Sequence, residues 1–319
     1  MPQPVTDAQI FAGRTSMLFA SKVCDYLGME MGQSETIVFS EGALFVKVLE
    51  KVRDKDVYVI QTIGTKPNDE FMELLFYVDA FKRASASSVT AILPYFAYAK
   101  GDKKDEPRVS IRARVCADCL EAAGVDRIIT MDLHSPQIQG FFKKPVDHLY
   151  AMDALCTEVR KHDVDNLVVV APDTGFAKNA RKYANKLGVG LAIGDKVRRS
   201  HNELAEVEGI IGDVAGLNAL IVDDFTISCG TLASTARYLK KLNAERIFAC
   251  VSHCVMSDRA LDELTNSPIE RLYITDTVEN AAAFNHPKIK VVSMAPVFGE
   301  AIRIIHNRES LSQLFDGQP

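Results

Sequence analysis

The sequence predicts an α/β protein of two tandem domains, each a mainly parallel sheet flanked by helices. Short runs of β-formers alternate with amphipathic helical stretches along the whole chain, the pattern of βαβ units. Several strand runs empty into small, hydroxyl- or glycine-bearing turns that open helices, as at 172–178 and 220–231. The same order of elements recurs in two halves of similar length, and 319 residues suffice for two ordinary domains. The expected division is 1–149 and 150–319, with the C-terminal helix returning onto the first domain.

In the first half, residues 10–16 read as a strand and turn. Residues 16–27 carry apolar side chains at helical spacing and stop at Gly28. Residues 36–39, 43–49 and 56–60 read as strands, with Ser40-Glu41-Gly42 and Arg53-Asp54-Lys55 as turns. Met72, Leu75, Phe76, Asp79 and Ala80 fall near one stripe of a helix over 68–84, and 89–94 reads as a buried strand. The stretch 95–108 begins aromatic and ends in alternating charges, with Gly101 and Pro107, so its second half should be exposed and mobile. A helix over 111–123 and a strand over 127–130 follow, the strand delivering Met131-Asp132-Leu133-His134. Segments 137–142 and 146–149 close the half.

The second half reads as a helix over 152–161, a strand over 166–171, and a strongly basic helix to Leu187 carrying Lys178, Arg181, Lys182 and Lys186. Strands over 191–194 and 218–222 follow, then a helix over 232–242. Further strands over 246–252, 271–275 and 289–292 lead to a closing helix over 297–305.

Composition narrows the function classes. Hydrophobic residues make up 47% and charged ones 25%, and the net charge of −5 gives no support to a general nucleic-acid binder. No apolar run reaches the ~18 residues a membrane span requires, and the N-terminus lacks a signal pattern. Seven cysteines without a framework fit a reducing compartment, so the expectation is a cytoplasmic protein. Cys116 and Cys119 form a CxxC inside a helical run, where packing explains them better than a metal or redox role.

The chemistry gathers at strand ends. Leu220-Ile221-Val222-Asp223-Asp224-Phe225-Thr226-Ile227-Ser228-Cys229-Gly230-Thr231 runs from apolar β-formers through two acids into a turn opening a helix. Backbone N–H groups at such a turn bind anions, and adjacent carboxylates accept hydrogen bonds from sugar hydroxyls. The combination describes a ribose 5-phosphate cradle; the alternative is an acid pair that merely ends a buried strand. Asp132-x-His134 at a strand end lies where parallel sheets bind ligands and could hold a metal on a nucleotide. Lys196 and Arg198, two apart on a strand, would present a double cation on one face. Lys100, Lys103, Lys104 and Arg108 ride on a loop that is either a solvated connector or a lid closing over phosphates. Together these point to transfer of a highly charged phosphoryl or pyrophosphoryl group with Mg²⁺, catalysed by positioning and charge neutralisation. Neither a G-K-[ST] P-loop nor G-x-G-x-x-G is present.

Over about 10–315 the chain resembles the ribose-phosphate pyrophosphokinase (PRPP synthetase) family. The resemblance is carried by Asp69-Glu70-Phe71-Met72-Glu73-Leu74-Leu75, Lys82-Arg83-Ala84-Ser85-Ala86, Asp102-Lys103-Lys104-Asp105 and Ile128-Ile129-Thr130-Met131-Asp132-Leu133-His134. It continues in Gln137-Ile138-Gln139-Gly140-Phe141-Phe142, Pro145-Val146-Asp147-His148-Leu149-Tyr150, Pro172-Asp173-x-Gly175 and Val222-Asp223-Asp224. The resemblance implies two phosphoribosyltransferase-like (type I) domains. It also implies transfer of the β,γ-diphosphate of ATP to the C1 hydroxyl of ribose 5-phosphate, in a homo-oligomer of the family's usual form, a hexamer built from dimers. By position it makes His134 and Asp173 ligands or close neighbours of Mg²⁺, and Lys196 and Arg198 the transition-state cations, with Lys196 catalytic. Asp223 and Asp224 would hold the ribose hydroxyls, and Ile227, Ser228, Cys229, Gly230 and Thr231 the 5-phosphate. The ATP side would comprise Phe39, Glu41, Ala43, Lys100, Gly101, Asp105, Arg108 and His134.

The chain departs from the family pattern at specific places. Ile227 replaces a third acid in the ribose loop, Ala43 replaces a glutamate, and Lys100-Gly101 replace Arg-Gln. Lysine cannot fork its hydrogen bonds or stack as arginine does, so nucleotide preference is where these changes should tell. In the lid, Glu106-Pro107-Arg108-Val109-Ser110-Ile111 stands for Lys-Ser-Arg-Ala-Pro-Ile, and Phe176 and Asn179 alter the pyrophosphate loop. Arg53, Ser85, Arg108, Ser310 and Ser312 match the family's phosphate/ADP regulatory positions, whereas Lys51 replaces a serine. The alternatives weighed are a weakly active or inactive regulatory subunit and a phosphoribosyltransferase that consumes PRPP.

Overall fold

The computed structural model describes residues 7–162, 165–197 and 206–314; side chains at 196, 197, 206–208 and 313 are outside that description. The strands are β1 (Ala8–Ala12), β2 (Ser34–Val38), β3 (Leu44–Val48), β4 (Asp56–Ile60), β5 (Ser88–Leu93), β6 (Arg127–Met131) and β7 (Val146–Leu149). They continue with β8 (Leu167–Ala171), β9 (Gly190–Val197), β10 (Glu206–Ile211), β11 (Asn218–Thr226), β12 (Ile247–Cys254), β13 (Arg271–Thr275) and β14 (Ile289–Val292). The helices are α1 (Met17–Leu27), α2 (Pro67–Arg83), α3 (Arg112–Ala123), α4 (Met152–Arg160), α5 (Ala177–Leu187), α6 (Gly230–Lys241), α7 (Asp258–Thr265), α8 (Ala281–Phe284) and α9 (Ala295–His306). The α/β class with parallel sheets flanked by helices is borne out.

The chain divides into two compact units. The first comprises residues up to Tyr150 together with Thr277–Glu279 and Met294–Asp316. Its five-stranded sheet, in the order β1-β4-β5-β6-β7, is parallel throughout. The strands Val57–Ile60, Val89–Leu93 and Ile128–Met131 are near-continuous apolar runs because both faces of a parallel sheet are covered. On one face lie α2 and α3, contributing Phe71, Leu74, Tyr77, Val78, Phe81, Ala113 and Leu120. α1 packs with α9, the Phe19 and Phe298 rings meeting edge to face at 5.4 Å. The Phe19 N–H donates to Glu279 Oε1 at 2.8 Å, and Thr62 Oγ1 donates to the Thr277 carbonyl at 2.6 Å, which ties the late segments into this unit.

The expected strands near 36–49 are present but stand apart from the main sheet: β2 and β3 pair antiparallel as a separate two-stranded sheet. Its alternation is exposed on one side (Ile37, Phe45) and packed on the other, where Val46 and Val48 lie against the α2 core. The family-like run Asp69–Leu75 owes two of its acids to architecture. Glu70, 2% exposed, accepts hydrogen bonds from Gly64 N–H, Thr65 Oγ1 and Lys66 N–H, closing the turn that starts α2. Glu73 is fully buried and meets Arg14 Nε at 3.2 Å. Glu70→Ala would strand three donors, two of them backbone, and is expected to cost about 3 kcal/mol in urea unfolding, with the slope m unchanged.

The second unit holds a seven-stranded sheet, β10-β9-β8-β11-β12-β13-β14, in which only β10 runs antiparallel, against β9. Strand order reverses between β8 and β11, the switch point at which open α/β sheets bind ligands outside their strand ends. Two elements run further than the sequence suggests. β11 continues to Thr226 because Asp223, Phe225 and Thr226 stay paired with Val251, His253 and Cys254 of an equally long β12. β9 continues to Val197 because β10 folds back onto it, with a bulge between Val207 and Gly209. α7 and the single turn α8, capped by Asn280 Oδ1 on the Ala283 N–H at 3.0 Å, were not among the expected elements.

Candidate active site

The predicted residues fall into two groups, one in each unit. In the second unit the two loops flanking the switch point come together. β8 ends at Ala171, one residue past the Val170–Ile221 pairing, so its loop leaves beside Asp223. In that loop Asp173 Oδ1 accepts the Gly175 N–H at 2.9 Å and the Phe176 N–H at 3.2 Å. This turn sets up α5 and engages one carboxylate oxygen of Asp173.

Asp223 and Asp224 lie within β11 rather than beyond its end, both half-buried. Asp223 Oδ1 accepts the Asp224 N–H at 3.0 Å, and Asp224 Oδ1 accepts the Phe225 N–H at 2.9 Å. Burial first, then the adjacent Asp224 charge, push the Asp223 carboxyl well above the usual carboxylate range; Asp173 adds to the same effect. Three carboxylates gathered this closely favour a ligand that donates hydroxyl hydrogens or brings a cation.

After β11 the chain turns through Ile227, Ser228 and Cys229 into α6. Ile227 and Ser228 are exposed, and the Gly230 N–H reaches Ser228 Oγ at 3.3 Å. Cys229 adopts φ 59°, a left-handed conformation that costs a side-chain-bearing residue about 1–2 kcal/mol. What offsets that strain is its side chain, which drops into the core beside Cys254 and Leu232, 1% exposed. The same burial pushes its thiol up to about 12, so it is an anchor for the loop and not a nucleophile. With the side chain turned inward, the loop backbone is presented at the start of α6, the arrangement that suits a phosphate.

Lys196 sits on β9 in register with Val207. Its side chain and all of Arg198 lie outside the described residues, as does the stretch to His201.

In the first unit, β5 and β6 deliver two loops from the same edge of the sheet. The first starts buried in its aromatic half: Tyr95, Phe96, Ala99 and Gly101 are buried, and Ala97–Lys100 form a short 3₁₀ turn. Lys100 Nζ lies 5.8 Å over the Tyr95 ring. Residues 103–108, including Asp105 and Arg108, are exposed as expected, and Arg108 has φ 67°. The second loop carries exposed His134. Its neighbour Leu133 donates its N–H to Nε2 of buried His148 at 2.9 Å, and the Asp132 N–H reaches the Leu149 carbonyl at 3.0 Å. His148, a member of a family-like stretch without an assigned role, therefore helps to shape the turn that presents His134. Phe39, Glu41 and Ala43 occupy the exposed tip of the β2–β3 hairpin, where Gly42 takes φ 89° and the Phe39 and Phe45 rings lie 6.3 Å apart.

Among the described residues no group of three or more His, Cys, Asp and Glu forms a metal cage. No helix there is long and apolar enough to cross a membrane. A hard cation such as Mg²⁺ needs no such cage, since it is commonly held by one or two carboxylates, substrate phosphates and water. Asp173, with one carboxylate oxygen engaged in its turn, is a donor of that kind.

Tandem parallel sheets, an acid pair at a switch point and a strained loop opening a helix define the class, an α/β protein whose candidate site lies at its strand ends. Comparison with known proteins narrows it. Residues 8–124 match the N-terminal domain of ribose phosphate pyrophosphokinase, and 205–316 match the phosphoribosyl synthetase-associated domain. Ribose-phosphate pyrophosphokinase of Chlorobaculum tepidum is 44% identical over 98% of this chain and 96% of its own length. That of Caldanaerobacter subterraneus is 43% identical over 99% and 100%. The crystal structure of phosphoribosylpyrophosphate synthetase from Mycobacterium smegmatis superposes with a TM-score of 0.89 at 35% identity, covering 95% of this chain and all of that one. The chain belongs to the ribose-phosphate pyrophosphokinase family.

Proposed function

We propose that this protein is a ribose-phosphate diphosphokinase: it transfers the β,γ-diphosphate of ATP to the C1 hydroxyl of D-ribose 5-phosphate, giving PRPP and AMP for nucleotide biosynthesis. The carboxylates at Asp223 and Asp224, at the switch point and running into the Ile227–Thr231 turn, carry this reading. The acids accept the ribose hydroxyls, and the N–H groups of Ile227, Ser228, Cys229, Gly230 and Thr231 hold the 5-phosphate. Substituting Ile227 for an acid removes a side-chain acceptor but leaves its backbone N–H.

On the ATP side Phe39, Glu41 and Ala43 border the base, while Lys100, Gly101, Asp105, Arg108 and His134 line the phosphates. Lys196 and Arg198 neutralise charge that develops on the transferring group, where positioned cations are worth most. Mg²⁺, when bound, screens the polyphosphate charge, with Asp173 and His134 the residues that would hold it or its water shell.

The protein acts in the cytoplasm as a homo-oligomer, a hexamer built from dimers. Exposed Ile37, Val38, Phe39 and Phe45 on the hairpin, and Met72 and Phe76 one turn apart on α2, support an assembly that covers apolar surface. Incubation with ribose 5-phosphate, Mg²⁺ and each nucleoside triphosphate in turn, with and without phosphate, should yield PRPP and the matching monophosphate. No product from any triphosphate would overturn the reading in favour of a regulatory subunit.

A further inference from the structure

Arg112, the first residue of α3, is placed where helix stability does not explain it. A cation in the first turn opposes the helix dipole, and α3 has no acid in that turn to offset it. Arg112 is exposed, and its guanidinium makes no hydrogen bond or ion pair with any described residue. It nonetheless packs closely on one neighbour. It lies over buried Gly101, where an added Cβ would come within 2.5 Å of Arg112 Nε and 2.8 Å of its Cβ. The backbones are also tied there, the Ala113 N–H donating to the Gly101 carbonyl at 3.1 Å. Gly101 thus clears the space that Arg112 fills, at the root of the loop carrying Lys103, Lys104 and Arg108. The charge is felt locally: burial first, then Cys116, raise the pKa of the nearby Tyr98 hydroxyl, and Arg112 acts against that rise without reversing it.

We propose that Arg112 is a nucleotide-binding residue, its guanidinium forking onto phosphate oxygens of the triphosphate donor across the surface left open by Gly101. A guanidinium suits that task because its paired N–H groups match two phosphate oxygens at once, which the Lys100 ammonium cannot do. Gly101 and Arg112 then act as one device, the missing side chain at 101 making room for the arginine.

The inference rests on the diphosphokinase reading, and its test separates the two. Initial rates of the full-length protein are measured against ATP and against ribose 5-phosphate for wild type, Arg112→Ala, Arg112→Lys and Gly101→Gln. Arg112→Ala should raise the KM for ATP about tenfold or more, the worth of one charge-assisted contact. The KM for ribose 5-phosphate should stay within about twofold and Tm should not fall, because the helix loses an unfavourable charge. Arg112→Lys should recover only part of the loss, and Gly101→Gln, which displaces the guanidinium, should resemble Arg112→Ala. An unchanged KM for ATP in an enzyme that makes PRPP would overturn the role of Arg112 and leave the activity standing. If wild type makes no PRPP, calorimetric titration with Mg-ATP decides instead, and equal affinity in wild type and Arg112→Ala overturns the proposal. Titration with inorganic phosphate alone is the control, and weakening equal to that for Mg-ATP would reassign the residue to free phosphate.

Discussion

Lys196→Ala will lower kcat by about a thousandfold while leaving the KM for both substrates and the thermal transition nearly unchanged. A cation aimed at charge that appears only in the transition state contributes little to ground-state binding, and deleting such a group costs about 10²–10³ in rate. Lys196 lies on β9, held by the β10 partner strand, so removing its side chain breaks no backbone pairing. Steady-state kinetics together with circular dichroism and a melting curve check the result. Turnover within a few-fold of wild type would remove Lys196 from the mechanism, and a parallel rise in KM for ATP would make it a binding residue instead.

Asp223→Asn will weaken ribose 5-phosphate binding by about 10–100-fold, the loss expected for charged acceptors of two hydroxyl donors, and will stabilise the ligand-free protein. The second half follows from the raised carboxyl pKa. The folded state binds the Asp223 proton more tightly than the unfolded chain does. The stabilisation from that proton is complete below the ordinary aspartate range, about pH 4, and is lost as pH rises through the folded-state value. Once ionised, the wild-type carboxylate stands half-buried beside Asp224, a strain that asparagine removes. The Tm difference between Asp223→Asn and wild type should open as pH increases from about 4 and then level off. A constant difference at all pH values would show that Asp223 is not the perturbed group. In wild type, affinity for ribose 5-phosphate should increase over the same rise in pH, and Asp224→Asn should shift that profile to lower pH by removing the neighbouring charge.

Local pattern carried much of this structure. The buried strands β5, β6, β8 and β11 were legible because long apolar runs bounded by turns have few other uses, and Gly28 and Gly124 do end their helices in left-handed conformations. What escaped the sequence depends on partners distant in the chain. β11 runs past its acids because β12 is long enough to keep pairing with them, and nothing within 218–231 encodes that. The hairpin formed by β2 and β3 separates from the main sheet because it packs on α2, although its residues alternate as any strand's would. At the site, the acid pair and its turn were visible as chemistry. Cys229 was visible only as a loop residue, because its role as an inward peg follows from a backbone angle. Arg112 left one signal, a cation opening a helix, which acquires meaning once Gly101 is seen beneath it.

The contact between α1 and α9 has a consequence for biosynthesis. Phe19 meets Phe298 across nearly the whole length of the chain, and Glu279 caps the backbone at the same place. A ribosome elongating at about 5–20 residues per second will have finished the first sheet many seconds before α9 exists. During that interval α1 carries an apolar face with no cover, a nascent surface open to chaperones. A fragment ending at Tyr150 should inherit the same exposure permanently, and should dissolve poorly unless a peptide spanning Ala295–His306 is supplied in trans.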